Sequence, residues 1–248
     1  MNHTPALTPQ QVEQYHRDGY LVVPNLLSAQ EVEEFVQHNE ELGDAQKSYG
    51  LQGHQQDDIY RKVAHHPAIT GPVAQLIEGA PQIVQTMYMN KAAKGSAGTA
   101  LHQDSHYIGN EPNTLMACWI AMSDTDKGNG GLCVVPGSHL GELKSVSKND
   151  DPEHQQWEVD HLMRDRDGKE WNEKLFAFQI QDVAPREIEY LTVPAGAGVF
   201  FTGMTIHGSF ANHAESRPRR AFAVHYVRQG TWIYRDDLQR TIPVEAAR

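Results

Sequence analysis

Leu101-His102-Gln103-Asp104-Ser105-His106-Tyr107 decides how this chain reads, because a strand and a helix would aim these side chains differently. In a strand, residues two apart face the same side; in a helix they point nearly opposite ways. The neighbours favour a strand spanning 100–107. Apolar or alternating runs cover 83–89, 115–122, 131–135, 189–193, 198–201 and 221–227. Turn signals such as Asp126-Lys127-Gly128-Asn129-Gly130 and Pro194-Ala195-Gly196 separate them. So many short strands in one block predict an antiparallel sandwich, most simply a double-stranded β-helix (jelly roll).

Upstream the grammar is helical. Thr8-Pro9-Gln10-Gln11 is a capping-box start with Pro at the first helical position, and Gly19 is a stop. Ser28-Ala29-Gln30-Glu31 repeats the device before a Val32, Phe35, Val36 stripe, with Gly43 closing it. Tyr20-Leu21-Val22-Val23 between them suits a strand, and a third helix is expected over 68–77. The fold class is therefore mainly β with flanking helices, in one domain covering 1–248. Residues 1–80 give helical support and 81–248 the jelly-roll core. The charged stretch 143–182, with Trp157 and Trp171, lacks a strand period. It reads as a lid or binding insertion, or as a surface excursion with some helix.

Bulk properties narrow the function. The 248 residues carry a net charge of −11, which argues against a nucleic-acid partner. No run approaches the ~18 apolar residues of a membrane span, and no secretory signal is legible at the N-terminus. Cys118 and Cys133 form neither a disulfide framework nor a thiolate metal site, so a reducing, cytoplasmic setting is the default.

His-x-Asp is a weak signal by itself: 14 histidines and 15 aspartates in 248 residues give roughly one match by chance. There are two here. His16-Arg17-Asp18 lies in the first helix, where the pair diverges. His102 and Asp104 lie in the strand, where they can face one ion. His207, just after the apolar Val199-Phe200-Phe201 run, is the best third ligand. Two histidines and one carboxylate on one face of an octahedron leave three positions open, the arrangement of non-haem Fe(II) oxygenases. His106 shares their parity, but four strand residues span about 13 Å, which suits a substrate or outer contact. His213-Ala214-Glu215 reads as chance, and His225 as a hydrogen-bonded barrel residue. A keto-acid co-substrate also needs a cation for its far carboxylate, for which guanidinium is best suited. Arg217-Pro218-Arg219-Arg220 lies ten to thirteen residues past His207, and spacing does not choose among the three arginines.

These residues resemble the phytanoyl-CoA dioxygenase (PhyH-like) family of Fe(II)/2-oxoglutarate oxygenases. Arg17-Asp18-Gly19-Tyr20-Leu21-Val22-Val23-Pro24 is similar to its opening segment. Thr86-Met87-Tyr88-Met89-Asn90-Lys91, followed by Leu101 to Tyr107, resembles its first ligand strand and the strand before. Trp119-Ile120-Ala121-Met122, Asn129-Gly130-Gly131-Leu132 and Val134-Val135-Pro136-Gly137-Ser138-His139 resemble its central block. His207-Gly208-Ser209, Asn212 and Arg219-Arg220-Ala221 resemble its closing block.

The resemblance implies a jelly-roll enzyme using Fe(II), 2-oxoglutarate and O2, with iron ligands His102, Asp104 and His207. It implies 2-oxoglutarate contacts at Met87, Trp119, Ser209 and Arg219, with Arg217 and Arg220 still open. A lysine that some members use for 2-oxoglutarate has no counterpart near 49–56. Related halogenases carry Gly or Ala in place of the carboxylate, so Asp104 implies hydroxylation of a small-molecule substrate, with release of succinate and CO2. The acidic total and charged insertion suit a small polar or cationic substrate better than an acyl-CoA. Three rivals fit less well: a cupin-type enzyme that does not use 2-oxoglutarate would want a three-His set, a non-catalytic jelly roll would show an eroded triad, and a hydrolytic zinc enzyme would carry a helical pair such as His-Glu-x-x-His.

Overall fold

In the strand Arg219–Arg228, small and large side chains divide by parity, and that division sets the architecture. Ala221 and Ala223 face inward, while Phe222, Val224 and Tyr226 face the helices. The computed structural model describes residues 6–244. It is a jelly roll. The larger sheet has six strands in the order Tyr20–Val23, Gly198–Thr202, Met116–Ala121, Arg219–Arg228, Pro81–Lys91 and Ile242–Pro243. The smaller has four: Glu189–Tyr190, Leu132–Val134, His207–Ser209 and Thr99–His102. All these pairings are antiparallel. The inner faces enclose Trp119, Leu132, Val134, Val199 and Phe201.

The helices cover the outer face of the larger sheet. Phe35 packs on Phe222 with ring centroids 4.9 Å apart and stacks on Tyr60 at 5.3 Å. Tyr226 donates its hydroxyl to Ala64 O at 2.7 Å, so its burial leaves no orphaned polar atom. Complete burial of such aromatic rings contributes about 2 kcal/mol each. Both capping boxes form, at Thr8 for helix Pro9–Asp18 and at Ser28 for helix Ala29–Leu42, and Gly19 ends the first in the left-handed conformation. The third anticipated helix is Pro67–Leu76.

The sequence reading fails in three places. The strand read over 100–107 ends at His102: Gln103 remains extended, but Asp104–His106 is a 3-10 turn closed by Tyr107 N–H to Asp104 O at 2.9 Å. Two further helices, Gly53–Gln56 and Asp58–Ala64, escape a reading based on long periodic stripes. The second is capped by Asp57, which accepts from the N–H groups of Ile59 and Tyr60. Finally, the insertion holds strands and no helix. Glu158–Arg164 pairs with Glu170–Phe176, and Ser147–Lys148 with Phe178–Gln179. Both faces of the longer hairpin are largely solvated, so apolar alternation is muted; Met163 and Leu175 are its buried residues.

Candidate metal centre

His102 and His207 are register partners on adjacent strands of the smaller sheet, so the barrel brings together residues 105 positions apart in sequence. The extended Gln103 preserves strand parity as far as Asp104. His102 Nε2 lies 3.5 Å and His207 Nε2 3.6 Å from Asp104 Oδ1. All three residues are buried, and they are the one group of three or more potential ligands found among the described residues.

The opposite edges of both rings are committed. His102 Nδ1–H donates to Ala100 O at 2.8 Å and His207 Nδ1–H to Thr205 O at 3.0 Å. Each contact fixes the tautomer that leaves Nε2 unprotonated and free to ligate. Burial pushes His207 down to about 4, against the opposing pull of Asp104, so the ring is neutral. Burial alone would raise the Asp104 carboxyl. The neighbouring His207 and His225 rings, with the hydrogen bond from His225, outweigh it and hold the group well below the usual carboxylate range. A neutral imidazole pair and a carboxylate facing one point suit a divalent cation of intermediate hardness.

His225, read from sequence as a barrel histidine, has a definite role in this geometry. Its Nε2 is 3.0 Å from Asp104 Oδ2, and its Nδ1 is 3.3 Å from Gln85 Nε2. Gln103, between the two ligand positions, points the other way: its amide donates to Met204 O at 2.7 Å and accepts from Lys144 N–H at 2.8 Å. It thereby ties the His102 strand to the His207 approach and to the start of the insertion. His106 leaves the strand with the turn and meets Lys144 O at 2.9 Å, with Phe178 beside its ring. Tyr107 sits edge-on to His102 at 5.4 Å and stacks on Phe178 at 4.7 Å, with Trp157 at 5.5 Å. The insertion therefore supplies an aromatic wall beside the triad.

Parity separates the three arginines. Arg219 shares the inward face with Ala221, Ala223 and His225 and is 2% exposed. Arg220 faces out and pairs with Glu40 at 2.7 Å; Arg217 precedes the strand and pairs with Asp126 at 2.7 Å. Arg219 Nε donates to Gly130 O at 3.1 Å, while its buried Nη1 has no partner. Its guanidinium carbon lies 5.8 Å from the Trp119 ring centroid. Ser209 is two residues beyond His207 on the same face, and Met87 lines the inner sheet face. Asn212 donates to Lys91 O at 3.2 Å and Arg217 O at 2.9 Å, which fixes the loop between Ser209 and Arg219.

The two decoys behave as helix and loop geometry require. His16 is exposed, Asp18 is bound to Arg17 at 2.7 Å, and His213 is an exposed loop residue.

The family model for phytanoyl-CoA dioxygenase (PhyH) matches residues 15–221. The chain belongs to the phytanoyl-CoA dioxygenase family. The peroxisomal phytanoyl-CoA dioxygenase of Rattus norvegicus is 27% identical over 252 residues, covering 89% of this chain and 68% of the relative. Among solved structures, the epimerase SnoN in complex with Fe3+, alpha ketoglutarate and nogalamycin RO has a TM-score of 0.69 at 21% identity, covering 92% of this chain and 86% of its own. The carbocyclase SnoK from nogalamycin biosynthesis gives 0.68 at 23% identity, covering 98% and 94%. Membership makes this PhyH-family protein an iron- and 2-oxoglutarate-dependent dioxygenase by class. Among its described residues no helix is long and apolar enough to cross a membrane.

Proposed function

We propose that this protein hydroxylates a small-molecule substrate, consuming O2 and 2-oxoglutarate and releasing succinate and CO2. Its chain would act as one catalytic domain, with the insertion as its lid. One observation carries the reading: two imidazole Nε2 atoms and one carboxylate oxygen converge, with both Nδ1 atoms already committed to backbone carbonyls. His102, Asp104 and His207 would hold the iron, and bound iron supplies oxygen-activating redox chemistry that no side chain can.

The chain's own task is to bind, orient and exclude water. Arg219 and Ser209 receive the distal carboxylate of 2-oxoglutarate, with Trp119 and Met87 forming the walls. The Ser209 position lies about 7 Å along the strand from His207, which suits a short diacid with its keto-acid end towards the triad. The unpartnered Arg219 Nη1 supports this assignment, because a buried guanidinium N–H without an acceptor is costly unless an anion completes it. Asp104 is kept ionised and oriented by His225, and the presence of a carboxylate there favours hydroxylation over halogenation. The substrate would approach along Tyr107, Phe178 and Trp157. Their flat apolar faces and the acidic net charge suit a small neutral or cationic compound. Buried free thiols at Cys118 and Cys133 are consistent with a reducing compartment, and the net charge of −11 argues against a nucleic-acid partner.

The test is succinate release. Protein loaded with Fe(II) should convert 2-oxoglutarate to succinate, stimulated by a compound found in a metabolite screen, and Asp104→Ala should abolish the stimulation. Undiminished turnover by that variant would overturn the assignment.

A further inference from the structure

Lys91 and Arg219 are register partners on adjacent antiparallel strands, and both are buried, at 5% and 2% exposure. Like charges directly opposite each other on a sheet repel, and each buried cation costs several kcal/mol without a counter-charge. Among the described residues no carboxylate contacts either. Lys91 Nζ donates to Ser209 Oγ at 2.9 Å and to Phe210 O at 2.7 Å. Protonation gives Lys91 a third donor, and the buried Nη1 of Arg219 has no partner. Because Ser209 Oγ accepts from Lys91, its own hydrogen is free to donate. Two basic side chains and a hydroxyl thus share one buried pocket with no carboxylate of the described residues between them.

We infer that Lys91 is a further co-substrate-binding residue: its ammonium and the Arg219 guanidinium together hold the distal carboxylate of 2-oxoglutarate, with Ser209 between them. The inference rests on the reading of the site proposed above. In the free pocket, burial brings the Lys91 ammonium down to about 6, and Arg219 pushes the same way. The other titratable group acting on it is the Cys133 thiol, itself pushed up to about 12 by burial and therefore uncharged at neutral pH. An arriving carboxylate restores the charge on Lys91, drawing one proton from solvent. Affinity for 2-oxoglutarate then falls as pH rises above about 6. A 2-oxo monoacid, which places no carboxylate there, lacks both effects.

Anaerobic calorimetric titration of the Fe(II)-loaded protein with 2-oxoglutarate, in two buffers of different ionisation enthalpy between pH 6.5 and 8.5, tests this. We expect net uptake of up to one proton per ligand, and a Kd that rises by up to about tenfold per pH unit. Lys91→Met should bind 2-oxoglutarate at least about tenfold more weakly, without uptake or pH trend, yet bind 2-oxovalerate as the wild type does. Lys91→Arg, charged throughout the range, should bind 2-oxoglutarate without uptake. Equal loss of both acids in Lys91→Met would make the residue merely structural, and unchanged 2-oxoglutarate binding would also refute its role. If Lys91→Met does not fold, proton uptake by the wild type still decides. A wild type that binds 2-oxovalerate and 2-oxoglutarate alike, with no proton uptake, sinks the clamp alone; one that binds neither sinks the reading of the whole site.

Discussion

His225 Nε2 lies 3.0 Å from Asp104 Oδ2, the carboxylate oxygen turned away from the two ligand histidines. The contact leaves Oδ1 facing His102 and His207 and links Asp104, through His225, to Gln85 on the strand Pro81–Lys91. Asp104 sits on a 3-10 turn rather than in a strand ladder, so its side chain depends on this contact for its orientation.

Removing the contact should weaken the metal site without dismantling it. His225→Ala should raise the Kd for Fe(II) by about 10- to 100-fold, as is usual for partners that orient a ligand. His225→Gln, which can still donate to Asp104, should recover part of the loss. Anaerobic metal titration followed by calorimetry measures both; equal affinity in all three proteins would show that Asp104 needs no such support.

The arginine assignment predicts a sharp contrast between neighbours. Arg219→Met should weaken 2-oxoglutarate binding by about 100-fold or more, as loss of a buried charged partner does. Arg217→Met and Arg220→Met remove surface pairs with Asp126 and Glu40 and should leave it unchanged. Binding isotherms for the three variants decide, and a larger loss from Arg217→Met than from Arg219→Met would reverse the assignment.

Gly19 connects the first helix to the metal centre. Its φ is +79°, and an added Cβ would clash with His139 Nδ1 and lie 2.8 Å from Thr205 Oγ1. Its carbonyl accepts from Thr205 Oγ1 at 2.6 Å, and Thr205 O in turn holds the His207 ring. Gly19→Ala should therefore cost about 1–3 kcal/mol of stability and weaken Fe(II) binding as well. Denaturant melts with and without metal would show it, and an unchanged midpoint would mean the junction relaxes freely.

Lys91 also makes a prediction for the metal-free protein. Its folded value of about 6 lies below the 10.5 of a free lysine, so between them the unfolded chain carries one more proton. Stability at this residue then rises with pH, by up to about 1.4 kcal/mol per unit. The range pH 7 to 8.5 isolates it, because the depressed histidines His54 and His207, at about 4, add their slope below pH 7. Urea midpoints of wild type and Lys91→Met across that range should diverge, the wild type gaining; parallel curves would mean Lys91 stays charged in the fold.

Much of this was legible locally. The capping boxes at Thr8 and Ser28 are set by side chains bonding to backbone within one turn, and neighbouring residues suffice to read them. The inward face of Arg219–Arg228 was also within reach: Arg219, Ala221, Ala223 and His225 alternate with Phe222, Val224 and Tyr226, so parity could have singled out Arg219 and flagged His225. The insertion was harder, because a hairpin solvated on both faces buries too little to impose an apolar period.

By itself the sequence determined the strand-rich class, the helical support and the family, and it made His102, Asp104 and His207 the candidate ligand set, since these rest on residue type, local pattern and resemblance. Only the tertiary structure decided that His207 lies opposite His102, that the ligand strand stops at His102 and turns at Asp104, and that Lys91 faces Arg219. Those relations depend on which distant strands pair and in what register, which is set by burying whole sheet faces together.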